Sequence, residues 1–158
     1  METKRRELVR HINLTAARNL SPLFDQAVRE DRPVVITRGR HDYALLMSRD
    51  QARRLLDAYE FHVDVLPEDE DGGFTLWVRE LDVGEYGPSL SEARHRLLET
   101  VRDYVGHYIE RWDFYRHLPD RAAQEPWVRR LSLTESDADL IDVLFEPVEA
   151  PEPAHAMA

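Results

Sequence analysis

The sequence predicts an α+β protein. Two kinds of segment indicate this: runs in which apolar and polar residues alternate, typical of half-buried strands, and runs in which apolar residues recur every three or four positions, typical of amphipathic helices. In chain order they predict strand, helix, strand, strand, helix, then three strands, one long helix and shorter C-terminal helices. The chain has 158 residues, 42% of them hydrophobic, which is enough for one domain or two small ones.

The chain opens on a short predicted strand over residues 10–14 and a helix over roughly 16–30. Pro22 lies inside that helix, so we expect a kink or break near Ser21, where a new first turn has no hydrogen bond to lose. The apolar stripe of the helix consists of Leu20, Leu23, Phe24, Ala27 and Val28.

A β-hairpin is predicted next. Residues 32–38 are rich in β-branched side chains, residues 39–42 form a turn around a glycine, and residues 43–47 return as the second strand. Ser48 then caps a helix over residues 49–59. The expected apolar stripe of that helix is Leu55, Leu56 and Tyr59.

The second half begins with a different pattern. Residues 61–66 alternate with period two, residues 67–73 form an acidic turn, residues 74–81 predict a second strand, and residues 84–87 a short third strand or turn.

The longest predicted helix comes after these strands. Ser89 and Glu92 have the spacing of a capping box. Its apolar positions are Leu90, Ala93, Leu97, Val101, Tyr104, Val105, Tyr108 and Trp112. Pro119 and Pro126 interrupt the segment beyond this helix, and Thr134 can cap a last helix. The apolar residues of this last helix are Leu140, Ile141, Leu144 and Phe145.

The composition indicates the cellular compartment in which the protein is expected. The chain has no cysteine, which excludes disulfides and thiolate metal sites. Five of the first seven residues are charged, no apolar signal core comes after them, and no apolar run approaches the roughly 20 residues that span a bilayer. We therefore expect a cytoplasmic protein.

Charge divides the chain unevenly. Residues 1–59 contain 12 lysines and arginines and 8 acidic residues, a net charge of +4, whereas residues 60–158 contain 9 and 23, a net charge of −14. This asymmetry suggests one half that meets a polyanion and another that meets a basic partner. The alternative is that solvated surfaces simply differ in charge.

Three segments of the first half resemble the Phd/YefM antitoxin family. They are Ile-Asn-Leu-Thr-Ala-Ala-Arg-Asn-Leu-Ser at 12–21, Pro-Val-Val-Ile-Thr-Arg-Gly-Arg at 33–40 and Tyr-Ala-Leu-Leu-Met-Ser at 43–48. The resemblance implies a βαββα dimerisation and DNA-binding module, a homodimer that binds operator DNA and represses its own operon. It also implies a separate C-terminal segment that neutralises a protein toxin.

The start of the long helix resembles the HicB antitoxins. Gly-Pro-Ser-Leu-Ser-Glu-Ala at 87–93 is similar to the helix start that comes after three strands in that fold. The resemblance implies a βββα unit. Together the two resemblances predict a DNA-binding module at 1–59, an acidic toxin-neutralising region at 60–146 and a disordered tail at 147–158.

Cations and polar residues of the first half are the predicted DNA contacts. Neutralised phosphates supply most DNA affinity, and arginine and asparagine can also read base edges. The candidates are Lys4, Arg5, Arg6, Arg10, Thr15, Arg18, Asn19, Arg38 and Arg40. A solvated terminal tail and ordinary hairpin solubility are the alternatives for the lysine and arginines.

Aromatic and apolar residues near the C-terminus are the predicted toxin contacts. Ribonuclease toxins act on RNA and tend to be basic, so an acidic half can be attracted to one and cover it. The candidates are Trp112, Phe114, Tyr115, Trp127, Leu144 and Phe145. The alternative is that these side chains form the core.

The sequence lacks the patterns of catalysis. It has no Gly-x-Ser-x-Gly, no phosphate-binding loop and no glycine-rich dinucleotide turn, so we expect neither an enzyme nor a cofactor. His107 and Glu110 are spaced to share a helix face and could ligate a metal, though a surface pair is the simpler interpretation. A stand-alone transcriptional regulator and a small metal-dependent enzyme therefore remain as alternatives to an antitoxin.

Overall fold

The computed structural model describes residues 10–13, 19–68 and 72–145, and of residues 10–12 it describes the backbone only. The chain forms two compact units, residues 1–55 and 56–158. Each is an α+β unit, and the element order agrees with the predicted order.

The first unit is a three-stranded sheet with two helices. Strand β1 (Arg10–Asn13) lies parallel to β2 (Val34–Arg38), and β2 pairs antiparallel with β3 (Asp42–Leu46). Helix α1 (Leu20–Arg29) connects β1 to β2, and α2 (Arg49–Leu56) comes after β3. The predicted hairpin is confirmed, with Val34 opposite Leu46 and Arg38 opposite Asp42.

Few side chains of this unit are buried. Leu23 and Ala27 of α1 and Val34 of β2 are buried, and Ile36 and Leu46 pack against Leu23 and Val34. Such a small described core provides little hydrophobic stabilisation for an independent unit.

The predicted burial of the α1 stripe is wrong for three of its five residues. Leu20 and Val28 are about half exposed and Phe24 is 58% exposed. The stripe is wider than the contact with the sheet, so only its Leu23 and Ala27 edge reaches β2.

The N-terminus of α1 also differs from the prediction. Asn19 has an extended backbone and α1 begins at Leu20, so the helix starts one residue before Ser21, close to the position where Pro22 predicted a break. Pro22 is the third helical residue, where the missing N–H costs no helical hydrogen bond. The predicted helical residues 16–18 lie outside the described part.

Helix α2 starts as predicted and ends early. The Ser48 hydroxyl accepts a hydrogen bond from the Gln51 N–H at 3.0 Å, which confirms the cap. The helix ends at Leu56, and the Tyr59 N–H closes a turn on the Leu56 carbonyl. Leu55 is 65% exposed, so its predicted place in a buried stripe is wrong.

The second unit is an antiparallel sheet packed against one long helix. Strand β4 (Val63–Glu68) pairs with β5 (Gly73–Val78), which pairs with β6 (Val83–Gly87). Helix α3 (Leu90–Glu110) packs on β5 and β6. The helices after it are α4 (Trp112–Tyr115), α5 (Pro119–Ala122), α6 (Glu125–Ser132) and α7 (Asp137–Phe145).

The core of this unit is larger and lies between the sheet, α3, α6 and α7. Leu76 and Val78 of β5 join Leu97 and Val101 of α3 in one buried cluster. The other fully buried members include Leu81, Ala93, Val128 and Leu140. The helical periodicity of α3 therefore predicted its buried face correctly.

A buried polar network ties α5 to α3. The Tyr104 hydroxyl donates to the Gln124 side-chain oxygen at 2.5 Å and accepts from Arg121 at 2.9 Å, and Arg121 also donates to the Leu81 carbonyl. Burial raises the pKa of Tyr104 above its usual value, so the hydroxyl stays protonated and can donate.

The junction between β6 and α3 is close-packed. The Ser89 hydroxyl accepts from the Glu92 N–H at 3.2 Å, which confirms the predicted cap. A β-carbon on Gly87 would lie 2.3 Å from the Ala93 nitrogen and 2.7 Å from its Cα. The Gly-Pro-Ser-Leu-Ser-Glu-Ala segment thus combines a cap with two small residues where strand and helix backbones touch.

The cap of α7 is not the predicted one. The Ser136 hydroxyl accepts from the Asp139 N–H at 3.1 Å, whereas the Thr134 hydroxyl donates back to the Leu131 carbonyl at 2.7 Å. The helix begins at Asp137, so Thr134 is too far from its first turn to cap it.

We predict that Ser136→Ala lowers the free energy of unfolding by about 1 kcal/mol, because an N–H of the first turn loses its acceptor. Thr134→Val should cost less, because the Leu131 carbonyl still accepts the Thr134 N–H at 3.0 Å. Urea denaturation followed by tryptophan fluorescence measures both, since all three tryptophans lie in the second unit. The opposite ranking would contradict the assignment of the cap.

Candidate nucleic-acid and protein interfaces

Two arginines project from the tip of the β2–β3 hairpin. Gly39 between them has a φ of +64°, a left-handed conformation that lets the turn close without strain. Arg38 donates to the Asp42 carboxylate through Nε at 3.0 Å and Nη2 at 2.8 Å, across the register pair that closes the hairpin. The Tyr43 hydroxyl donates to the Arg40 carbonyl at 2.9 Å, which fixes the backbone of the turn.

Both guanidinium groups at this tip are available to an anion. Residues Arg38, Gly39 and Arg40 are exposed, and the Arg38–Asp42 pair is itself exposed. Such a surface pair is worth at most about 1 kcal/mol, so a phosphate can compete with the carboxylate.

Two other predicted DNA contacts lie in the described part of the first unit. Arg10 begins β1, and Asn19 is exposed at the start of α1. The remaining candidates, Lys4, Arg5, Arg6, Thr15 and Arg18, lie outside the described residues. The structure therefore brings together Arg38 and Arg40, and the sequence spacing across the hairpin was the signal for this pair.

The first unit also carries an apolar surface that sequence patterns assigned to the core. Leu20, Phe24 and Val28 lie four residues apart along α1, so they form one exposed row. We call these three residues the helix row. Tyr43 and Leu45 of β3 are exposed as well.

An aromatic cluster surrounds α4 in the second unit. The ring of Tyr115 stacks on that of the buried Tyr108 with centroids 5.1 Å apart, and Trp112 lies 5.9 Å from the same ring. Phe114 is 54% exposed and lies under the Arg111 guanidinium at 5.2 Å. Of the three predicted toxin contacts here, Phe114 is exposed and the other two are half-buried supports.

The remaining predicted toxin contacts are more buried. Trp127 donates from Nε1 to the Glu60 carbonyl at 2.9 Å and meets the Tyr59 ring edge-on at 5.1 Å. Phe145 is half-buried with the Arg94 guanidinium 5.1 Å from its ring. Leu144 is only 2% exposed and belongs to the core, so a partner that leaves the unit folded cannot reach its side chain.

The outer face of the second sheet carries exposed residues that the sequence analysis did not assign to a site. Leu66 of β4, Trp77 of β5 and Tyr86 of β6 share the side that faces away from α3. Alternation within each strand places them on one face, and that signal was present in the sequence. We call these three residues the sheet patch.

Metal ligands do not come together in the described part of the chain. Among its histidine, aspartate and glutamate side chains, no group of three is arranged to hold a metal ion. The His107 ring packs edge-on against Tyr115, with centroids 6.2 Å apart. No helix of the described residues combines the length and apolar character needed to cross a bilayer.

Two comparisons with known proteins found matches, one to a solved structure and one to a protein family. The fold is similar to a crystal structure from Syntrophomonas wolfei subsp. wolfei, the antitoxin part of a candidate toxin–antitoxin system, with a TM-score of 0.69 at 23% sequence identity. The likeness covers 86% of this chain and 96% of that one. No curated protein matches significantly. A family described as PHD-like, antitoxin of RelE/RelB toxin–antitoxin systems, matches residues 8–146. Since that match spans nearly the whole chain, the protein belongs to this PHD-like family of antitoxins.

Proposed function

We propose that the chain neutralises a cognate toxin through residues 60–146 and represses its own operon by operator binding through residues 1–59. The family match over residues 8–146 carries the proposal, because an antitoxin requires a toxin partner. The βαββα order of the first unit supports a Phd/YefM-type module, and the βββα order of the second supports a HicB-like one. Membership in an antitoxin family points to regulation, and we assign no catalytic step to this chain.

The charge distribution supports this division of labour. The first 59 residues carry a net charge of +4, which suits the phosphate backbone of DNA, and the hairpin tip presents Arg38 and Arg40 to it. The remaining residues carry −14, which suits a basic protein and repels nucleic acid. We propose that the toxin is a ribonuclease, whose RNA-binding surface is positively charged.

We further propose that operator binding requires a homodimer formed through the first unit. Its described core is small, and the helix row presents three large apolar side chains to solvent. A second copy packed on this row would bury them, which supplies hydrophobic stabilisation that the unit lacks alone. Paired hairpin tips would then meet two half-sites of one operator.

Phe114 is the strongest of the predicted toxin contacts. It is exposed, the Arg111 guanidinium lies over its ring, and it rests beside Tyr115, whose ring stacks on Tyr108. A rigid aromatic side chain on an ordered support is typical of an interface anchor. Trp112, Tyr115, Trp127 and Phe145 would contribute partly exposed edges, and Leu144 is left out because it is buried.

Co-expression with the adjacent gene tests the antitoxin assignment. We expect the tagged full-length chain to retain the product of that gene through purification in a stable complex. The chain purified alone and mixed with an unrelated basic protein is the control for charge-driven binding. Failure of the adjacent gene product to bind would contradict the proposal.

For the DNA site, we predict that Arg40→Ala weakens binding to the promoter region upstream of the gene by roughly tenfold. The slope of log affinity against log salt should fall by about one for each phosphate that is no longer neutralised. Fluorescence anisotropy with the full-length protein measures both quantities. Arg116→Ala, which removes an exposed arginine of the second unit, is the control and should bind like the wild type. An unchanged salt slope for Arg40→Ala would exclude the hairpin tip as a phosphate contact.

A further inference from the structure

The sheet patch is a preformed aromatic surface. The inner side of the sheet is buried, since Leu76 and Val78 pack under α3, while Leu66, Trp77 and Tyr86 stay exposed on the other side. Leu66 is 49% exposed, and the two aromatic residues are each 37% exposed. Large apolar groups gathered on one exposed face mark an interaction site more often than scattered ones.

Two glycines leave room for the aromatic rings on the backbone of neighbouring strands. A β-carbon on Gly84 would lie 2.3 Å from the Trp77 ring, and one on Gly73 would lie 2.5 Å from the Tyr86 ring. The rings therefore cover the glycine backbone of neighbouring strands. Because contact with this backbone already restricts the rings, binding a partner would cost less side-chain entropy than at freely rotating side chains.

The border of the sheet patch is acidic. Asp64 lies on the same face beside Trp77, and a hydrogen bond from the Arg79 guanidinium lowers the pKa of this carboxyl group. Glu68 ends β4 and accepts from the Thr75 hydroxyl at 2.7 Å. Glu68 and Asp64 are therefore the described carboxylates at this border, and residues 60–158 as a whole carry a net charge of −14.

We infer that the sheet patch docks a basic, partly apolar surface of the cognate toxin. This inference rests on the proposed function and names a contact surface that includes none of the residues of the α4 cluster. A protein partner with lysines or arginines around an apolar centre would pair with Glu68 while it covers Trp77 and Tyr86.

Nucleic acid and a second copy of the chain suit the negative charge beside the sheet patch less well than a basic protein does. Aromatic rings on a three-stranded sheet can stack nucleic-acid bases, but the carboxylates at this border repel phosphates. A second copy of the chain would bring two acidic borders together, which costs free energy through like-charge repulsion. The acidic border therefore favours a basic protein.

Adjacent residues of β4 provide a matched pair of variants. Leu66 and Val65 are 49% and 48% exposed, yet Leu66 pairs with Thr75 on the patch side and Val65 pairs with the buried Leu76 on the helix side. We predict that Leu66→Lys weakens binding of the adjacent gene product by about 30-fold or more, the size of an interface hot spot. Val65→Lys should bind within about threefold of the wild type, because exposed edge strands tolerate lysine.

Denaturation midpoints first show that the Leu66→Lys and Val65→Lys variants fold. Calorimetric titration of each full-length protein with the purified adjacent gene product then measures the dissociation constant. Glu68→Lys should weaken binding at low salt and approach the wild type at high salt, because it removes an attraction that salt screens. If the wild type binds and Leu66→Lys binds equally well, the sheet patch is not the contact, and the proposed function survives. Equally weakened binding in both lysine variants would also overturn the patch.

The alternative occupants give different results. Binding of a short single-stranded RNA by the wild type, abolished in a Trp77→Ala variant, would overturn the inference in favour of nucleic acid. A change of oligomeric state in Leu66→Lys, seen by sedimentation without the adjacent gene product, would overturn it in favour of a second copy. Absence of any complex with the wild type would overturn the proposed function together with the patch.

Discussion

Replacing Gly87 with alanine is expected to destabilise the second unit by about 3 kcal/mol or more. The added methyl group would lie 2.3 Å from a backbone nitrogen and 2.7 Å from a backbone Cα of residue 93, and neither atom can rotate away. Ala93 is fully buried against the core, so α3 cannot retreat without opening its contact with β5 and β6. This one methyl group should therefore disturb the packing of the whole unit.

Gly106→Ala, in the helix that packs on Gly87, is the matched control. Gly106 lies in the interior of α3, where a β-carbon would meet nothing within 4 Å. Alanine there should stabilise the unit by about 0.5–1 kcal/mol, since glycine loses more backbone freedom in a helix. Urea denaturation followed by tryptophan fluorescence compares the two variants. Equal midpoints for Gly87→Ala and the wild type would show that the backbones at this junction can move apart at little cost.

Phe24→Asp is expected to separate the proposed dimer and abolish operator binding. Each subunit would lose one buried aromatic side chain and gain a carboxylate in an apolar interface. Because both subunits carry the substitution, the dimerisation free energy becomes less favourable by about 4 kcal/mol. The dimer dissociation constant should therefore rise by roughly a thousandfold. Sedimentation should show a monomer at concentrations where the wild type is a dimer, and promoter binding should fall with it.

Arg29→Ser controls for charge and helix stability in that experiment. It changes the net charge by the same one unit, and Arg29 lies on the other side of α1, in an exposed ion pair with Asp25 at 3.5 Å. This variant should remain a dimer. Because the tryptophans belong to the second unit, their fluorescence should stay that of the wild type in both variants. A dimeric Phe24→Asp protein would exclude the helix row as the interface.

Local patterns predicted the order of the elements. Alternation identified the strands of both sheets, and the caps Ser48 and Ser89 marked the starts of α2 and α3, because these signals act between residues close in sequence. The α3 stripe was also predicted correctly, since a long helix on a sheet buries one continuous face.

Tertiary context decided what local patterns could not. The helix row looked like a core stripe, because an exposed apolar row on a helix has the same periodicity as one buried within the unit. Leu144 is the reverse case. It was predicted to contact the toxin, and in the structure it is buried in the core of the second unit. Thr134 and Ser136 are both suitable capping residues, and only the position of the first helical turn distinguishes them.

The sheet patch was missed for a related reason. The sequence of β5 predicted a strand, and its alternation alone gave no sign of which face would stay uncovered. In the structure α3 covers one face of the sheet, and Trp77 and Tyr86 lie exposed on the opposite face.

Growth of cells that carry the adjacent gene under an inducible promoter tests the central claim most directly. Induction of that gene alone should arrest growth, and co-expression of the full-length chain should restore it, because an antitoxin neutralises its toxin by binding. Growth unaffected by the adjacent gene, or an arrest that the chain does not relieve, would contradict the assignment of this protein to that toxin.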